Sequence, residues 1–275
     1  MNRSRSRAPN ASSLPQADFC GLQVSRLILG ANPFGGYSHQ GPQRDAVMLS
    51  YHTIDRIHET WERAARAGID TMITNNETPH VLQAVREYLG GGGTLQWIAQ
   101  LNCIDQPDML RAIDEAVAIG ARAVYFHGGQ VDEAYRARDE ARIRQWAAHA
   151  RRAGVPVGAA GHAPEAHLWV NELDAVDFHC VCFFNCGSLH AGGGEHFDLA
   201  DVFAATDAIR RIQKPCIGYK IMGAGPIEAR MAFEYAISHI KPGDAVNVGM
   251  HRGDRDDMVE ENVALVREIL GRSGG

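Results

Sequence analysis

Eight short apolar runs in this chain each end on a polar side chain that chemistry can use. The endings are Asn32, Asn75 with Glu77, Gln100 with Asn102, His127, His162, Asn185, Lys220 and His251. Imidazoles serve as general acids and bases near neutral pH, and carboxylates and amides orient or polarise a substrate. Only three lysines stand against 24 arginines, so a lysine at such an ending is not background scatter. Lys214 and Lys241 each precede a proline and read as structural. Lys220 is a catalytic candidate. When neutral it is a nucleophile or base; when charged it holds a carboxylate, phosphate or enolate oxygen. The plainer account is a salt bridge to Asp70 or Glu77.

His127 and His162 end consecutive apolar runs and would act as a general acid and base on one substrate. With Glu77 they also form a candidate two-histidine, one-carboxylate site for a divalent metal, although no HExxH-type spacing supports it. His179, inside a run, reads as a core histidine. His251 reads as substrate-facing, while Arg252 and Gly253 beside it suit a turn equally well. Cys180, Cys182 and Cys186 match no known zinc or iron–sulfur spacing, and burial is the better account of them.

What positions these groups is an alternation of strand and helix. Apolar runs at 27–30, 69–73, 95–100, 123–126, 157–160, 177–183, 217–220 and 246–250 read as strands. Helical periodicity covers 52–67, 81–89, 107–119, 133–153, 164–170, 226–238 and 256–270, and glycines close several of these segments where a helix favours positive φ. Eight repeats predict an α/β fold of one (β/α)8 TIM barrel, in which all strand carboxyl ends converge on one face and carry the active site. A barrel of this kind takes roughly 250 residues, close to the 275 present. Residues 32–48 and 185–198 are long for barrel connections and read as binding loops or lids. The Gly223–Gly225 turn before the seventh helix reads as an anion cradle made by a helix N-terminus.

Residues 1–20 read as a disordered leader, rich in Ser, Arg, Pro and Asn, and 21–275 as the barrel. A small lid over the barrel bottom is expected at Gly21–Ser25. The net charge of −6 is spread along the chain, which argues against nucleic acid and anionic membrane as partners. No apolar stretch approaches the roughly 18 residues that span a bilayer. Six cysteines require no disulfide framework, so a cytoplasmic setting is expected.

After residue 20 the chain resembles the aldo-keto reductases. The resemblance rests on Gly21–Ser25 with Leu29-Gly30 and Phe34-Gly35-Gly36, on Gly68-Ile-Asp70-Thr71, and on Gly158–His162 with Pro164-Glu165. It continues through Val176–Asn185, Tyr219–Gly225, and Val248-Gly249 with Glu261-Asn262. It implies a reductase tetrad of aspartate, tyrosine, lysine and histidine, and an NADPH site. Asp70 and His127 then take the aspartate and histidine places. The tyrosine place falls on Asn75 and the lysine place on or beside Gln100. An amide is far too weak an acid to replace a phenol, and Gln100 carries no charge. For the cofactor, the resemblance implies Tyr219, Gly223, Gly225, Arg252 and Asn262.

The sequence therefore predicts a non-redox enzyme, an isomerase, epimerase or lyase, acting on a small carbonyl-bearing sugar or sugar-derived acid. His127, His162, Lys220 and Asp70 are the catalytic set. Asn32, Asn75, Glu77, Gln100, Asn102, Asn185 and His251 bind substrate. No cofactor is firmly implied; NADPH and a divalent metal are possible. The alternatives are a divergent NADPH-dependent reductase and a catalytically inactive ligand-binding barrel.

Overall fold

The computed structural model describes residues 14–103, 108–185 and 198–273. Eight parallel strands close into a barrel: β3 (Leu27–Gly30), β4 (Thr71–Asn75), β5 (Gln96–Leu101), β6 (Ala123–Phe126), β7 (Val157–Gly161), β8 (Phe178–Cys182), β9 (Cys216–Tyr219) and β10 (Ala245–Gly249). β10 pairs with β3 to complete the ring. The fold is the expected (β/α)8 TIM barrel.

Alternation along each strand divides the apolar side chains into two layers. Ile28, Ile73, Ile98, Tyr125, Phe178, Cys180 and Ile217 fill the barrel interior. The outward-facing residues, among them Trp97, Val124 and Phe126, pack under the helices with Trp61 and Phe233. Trp61 and Trp97 are fully buried; each such side chain contributes about 1.5–3 kcal/mol.

The bottom is closed by a hairpin, β1 (Gln16–Phe19) with β2 (Leu22–Ser25), whose Phe19 and Val24 plug the interior layer. The expected lid is thus present, and it begins inside the segment read as leader. Residues 1–13 lie outside the described residues.

Three helical assignments change. Within the polar stretch 32–48 begins α1 (Pro42–Tyr51), which starts on Pro42 and buries only Met48, so its sequence carries almost no apolar stripe. α2 (Ile54–Ala67) follows, capped by Thr53 and stopped by Gly68 at φ 113°, as the glycine predicts. The helix expected at 133–153 is two, α5 (Gly128–Ala137) and α6 (Glu140–Arg152). Arg138 at φ 53° breaks them, and Asp139 caps the second by accepting the Arg142 N–H at 3.0 Å. α8 (Leu199–Arg211) stands where the sequence reading placed no helix. The others are α3 (Pro79–Gly90), α4 (Met109–Ile119), α7 (Pro164–Leu173), α9 (Ala229–His239) and α10 (Met258–Ser273). Among the described residues no helix is long and apolar enough to cross a membrane.

Candidate active site

A cavity of about 950 Å³ opens at the carboxyl ends of the strands. His127, His162, Lys220, Asn32, Asn75, Glu77, Gln100, Asn102 and His251 all line it. Tyr125, Ala160, Tyr219 and Asn247 also line it from the strands themselves, and the convergence follows from parallel strands ending together.

The two histidines are held in different ways. His127 ends β6 as the N-cap of α5; its Nδ1 accepts the Gly129 N–H at 3.1 Å. A neutral ring with Nδ1 accepting carries its proton on Nε2. His162 follows β7, and its Nδ1 lies 2.8 Å from Asp132 Oδ2. The same carboxylate accepts the His162 backbone N–H at 3.2 and 3.3 Å. Asp132 therefore fixes the ring with the proton on Nδ1, leaving Nε2 as a bare acceptor. The ring centroids are 6.2 Å apart, edge to face. One imidazole presents a proton; the other presents a lone pair.

Gly128 lets the rings approach. A Cβ there would sit 2.8 Å from His162 Cε1.

The cavity floor is polar and partly interlocked. Tyr125 donates its hydroxyl hydrogen to Gln100 Oε1 at 2.8 Å, which leaves the Gln100 amide N–H groups as donors. Tyr219 donates to the Gly161 carbonyl at 3.2 Å. Burial, first of all, pushes both phenols well above their ordinary range. Asn102 Nδ2 donates to Glu77 at 2.8 Å, and Asn102 Oδ1 accepts from Gln130 at 3.2 Å. Asn75 Oδ1 accepts the N–H groups of Glu77 and Thr78 at 3.1 and 2.9 Å.

Lys220 follows β9 with φ 55°, a left-handed conformation that costs a non-glycine residue about 1–2 kcal/mol. Such strain persists where a side chain must be aimed. Its ammonium has no hydrogen bond or ion pair among the described residues, so the salt bridge to Asp70 or Glu77 does not form.

Four expected site residues stand elsewhere. Asp70 precedes β4 at the amino end of the barrel, opposite the mouth. It receives the Ser25 N–H at 2.8 Å, Gln16 Nε2 at 2.5 Å and the Thr71 hydroxyl at 2.7 Å, so it is a clasp for the bottom hairpin. Asn185 is exposed, is not among the cavity residues, and donates its N–H to Asp201 at 3.0 Å. Gly223 is absent from the lining, whereas Gly225 is present. Arg252 is buried beneath the β10–α10 connection, with Glu59 and Asp256 at 2.7 and 2.6 Å.

No three His, Cys, Asp or Glu side chains converge as metal ligands among the described residues. The candidates His127, His162 and Glu77 are engaged with Gly129, Asp132 and Asn102 instead. Cys180 and Cys182 are buried, as expected, and Cys186 lies outside the described residues. His179 is buried against His167 at 3.2 Å, but its Nε2 has no partner.

Asp132 and Asn247 were missed by sequence reasoning. The signal for Asp132 was available: a carboxylate in the N-terminal half of the helix that follows strand β6 reaches across to the end of the next strand. Asn247 was hidden inside an apolar run, where its inward parity places it.

No family model and no curated protein matches the chain in sequence. Solved structures do match. A putative aldo-keto reductase from Pseudomonas aeruginosa superposes with a TM-score of 0.66 at 18% identity, covering 94% of this chain and 98% of that one. Glycerol dehydrogenase from Gluconobacter oxydans gives 0.60 at 11%, over 96% of both chains. What these chains share with this one is the (β/α)8 barrel. Orotidine 5'-monophosphate decarboxylase from Methanocaldococcus jannaschii gives 0.55 at 12%, over 89% of this chain and 96% of that one. At these identities the likeness is one of fold.

The resemblance in sequence to the aldo-keto reductases implies a nicotinamide dinucleotide, and the residues present do not fit one. The cavity extends toward Gly225, Arg255, Met258 and Asn262, but the arm that carries α1 crosses this lobe. Gln40 Nε2 donates to the Ala224 carbonyl at 2.5 Å and fills the space beside Gly225. Arg44 ties the arm to Asp254. Arg252, the cation that the resemblance implies for the cofactor, is held by two carboxylates.

Proposed function

We propose that the protein is a non-redox enzyme that moves a proton next to the carbonyl of a small, hydroxylated substrate. The class is isomerase, epimerase or lyase. The observation that carries this reading is the Asp132–His162 pair at 2.8 Å beside a His127 whose bonding leaves a proton on Nε2. His162 Nε2 removes the C–H proton, and the electron pair moves through the carbon–carbon bond onto the carbonyl oxygen. His127 Nε2–H protonates that oxygen and recovers a proton from the adjacent hydroxyl as it becomes the new carbonyl, while His162 returns the proton it took to the former carbonyl carbon or, in an elimination, to the leaving group. Asn75, Gln100 and Asn102 hold hydroxyls. Lys220 stabilises the negative oxygen or the group that bears the substrate's charge.

Exchange of substrate α-protons for solvent deuterium, followed by proton NMR across hydroxyaldehydes, hydroxyketones and sugar acids, tests this. Exchange that vanishes in His162→Gln supports it; exchange that survives removes His162 as the base.

The likeness of fold favours a second reading, an NADPH-dependent reductase. It requires the Gln40–Ala224 and Arg44–Asp254 contacts to open. Fluorescence titration with NADPH distinguishes the two: saturable micromolar binding supports the reductase, and none at millimolar cofactor removes it.

A further inference from the structure

The cations of the cavity are paired off with one exception. Arg44, Lys220 and Arg255 are its lysine and arginine residues. Arg44 gives both terminal nitrogens to Asp254. Arg255 Nε meets Glu261 at 2.5 Å. Lys220 alone, among the described residues, brings an uncommitted full charge to the cavity. The nearby acids are occupied: Glu77 accepts from Asn102 at 2.8 Å, and Glu228 accepts the Met231 N–H at 3.1 Å as the cap of α9.

That cap bears on what Lys220 can hold. Phosphate sites in barrels use free N–H groups at a helix N-terminus. Here the α9 N-terminus already holds a carboxylate. In the preceding loop, Gly223 donates to Lys220 O at 3.1 Å, and Gly225 and Ile227 donate to Met222 O at 2.9 and 3.2 Å. Pro226 has no N–H. The anion cradle read from the glycines is closed by its own loop. A carboxylate demands less, since one cation and one or two amide donors satisfy it.

A second polar side chain of the cavity lining carries an atom without a partner. Asn247 Oδ1 is buried and unbonded. It belongs to β10, where Asn247 pairs in register with Tyr219, next to Lys220. Gly30 leaves room for it: a Cβ at that position would lie 2.8 Å from Asn247 Oδ1. A buried acceptor of this kind is completed by a donor, and in a ligand beside a lysine-bound carboxylate that donor is a hydroxyl.

We propose that the substrate is a hydroxy acid with a single negative group: Lys220 holds the carboxylate, and Asn247 accepts a hydrogen bond from a hydroxyl. A second negative group would face Glu77, Glu228 and Asp254. The chemistry assigned to this substrate rests on the acid–base reading; the binding does not.

Calorimetry on the full chain tests it. The probes are glycerate, gluconate and galacturonate, with glycerol, glucitol and galactose as neutral counterparts and glucose 6-phosphate as the more highly charged ligand. At least one monocarboxylate should bind about 10-fold more tightly than its neutral counterpart and than the phosphate ester. Lys220→Met should abolish that preference, and Lys220→Arg should retain most of it. Asn247→Leu should weaken the same ligand about 5–30-fold, the span for an unmade hydrogen bond. Circular dichroism verifies that each variant is folded. Equal binding of acid and neutral polyol, tighter binding of the phosphate ester, no binding by any monocarboxylate, or a preference that survives Lys220→Met would each overturn the inference. Lysine-dependent carboxylate binding without deuterium exchange would refute the acid–base reading alone. Exchange into neutral sugars that Lys220→Met leaves unchanged would refute this inference alone.

Discussion

Replacing Asp132 by Asn should disable the site without unfolding it. In the native protein the Asp132 carboxylate takes the His162 Nδ1 proton at 2.8 Å and the His162 backbone N–H at 3.2 and 3.3 Å. An amide keeps one acceptor for the backbone N–H but turns its NH2 toward the ring. Nδ1 must then accept, so the ring proton moves to Nε2, and the atom that should take the substrate proton is blocked. A general base contributes about 10²–10⁴-fold, and a histidine held in the wrong tautomer loses most of that. The expected loss is therefore about 3–5 kcal/mol of barrier at 1.36 kcal/mol per decade. Stability should fall by only about 1–2 kcal/mol, because both side chains retain partial exposure and one hydrogen bond survives. Long-range ¹H–¹⁵N correlation spectra report the His162 tautomer without any substrate, and the α-proton exchange rate reports the chemistry. A variant that exchanges at a third of the native rate or better would refute the role of Asp132. So would an unchanged His162 tautomer.

Four further outcomes follow from the same geometry. Gly128→Ala places a Cβ 2.8 Å from His162 Cε1 and should cut exchange about 10–100-fold by displacing the ring, with little change in the melting temperature; native activity would show that the ring has room to move. Lys220→Gly relieves the left-handed backbone at φ 55°, so urea unfolding should find it no less stable and up to about 1 kcal/mol more stable than the native protein, while monocarboxylate binding is lost. Burial holds His52 at about 3 and His167 at about 4, against an ordinary 6.5; the unfolded chain takes up protons below pH 6.5 that the folded chain refuses, so stability is complete above that pH and falls below it. At pH 5 this amounts to about 2 kcal/mol per histidine, or roughly 4 in all, and a urea midpoint that is flat between pH 7.5 and 5 would contradict it. Arg252→Ala should cost about 1–3 kcal/mol, since its two carboxylate partners reach solvent while the guanidinium is buried, and calorimetry should find ligand binding unchanged.

The barrel was legible because two independent periodicities agreed: apolar runs of strand length, and helical segments closed by glycines such as Gly68. The mouth was legible because polar residues ended those runs, and nine of them meet in one cavity. The errors have physical causes. Asp70 and Asn75 flank one strand, and five residues of extended chain separate them by about 16 Å; both could not stand at the mouth, and the local likeness of Gly-Ile-Asp-Thr obscured that. Arg252 looked available because its partner Glu59 is 193 positions away, a distance at which sequence carries no signal of pairing. α1 was missed because it buries a single side chain.

The residues that decide the chemistry were the hardest to read, and the reason is general to this architecture. A strand-end histidine announces itself by type, but its state is set by what stands behind it. Asp132 lies five positions after His127 yet serves His162, because the helix that follows one strand leans over the end of the next. Lys220 is the converse case. Its type was conspicuous, but its availability depends on Arg44, Arg255, Glu228 and Asp254 finding other partners, and the Arg44–Asp254 pairing joins segments from opposite ends of the chain. Removing one of them should therefore change the ligand's charge preference without touching Lys220. Asp254→Asn frees Arg44, and the cavity would then offer two cations in place of one. The variant should bind glucose 6-phosphate about 10-fold more tightly than the native protein does. An unchanged ratio of phosphate ester to monocarboxylate would show that Arg44 does not reach the bound anion, and that pairing at the rim is not what sets the charge the cavity accepts.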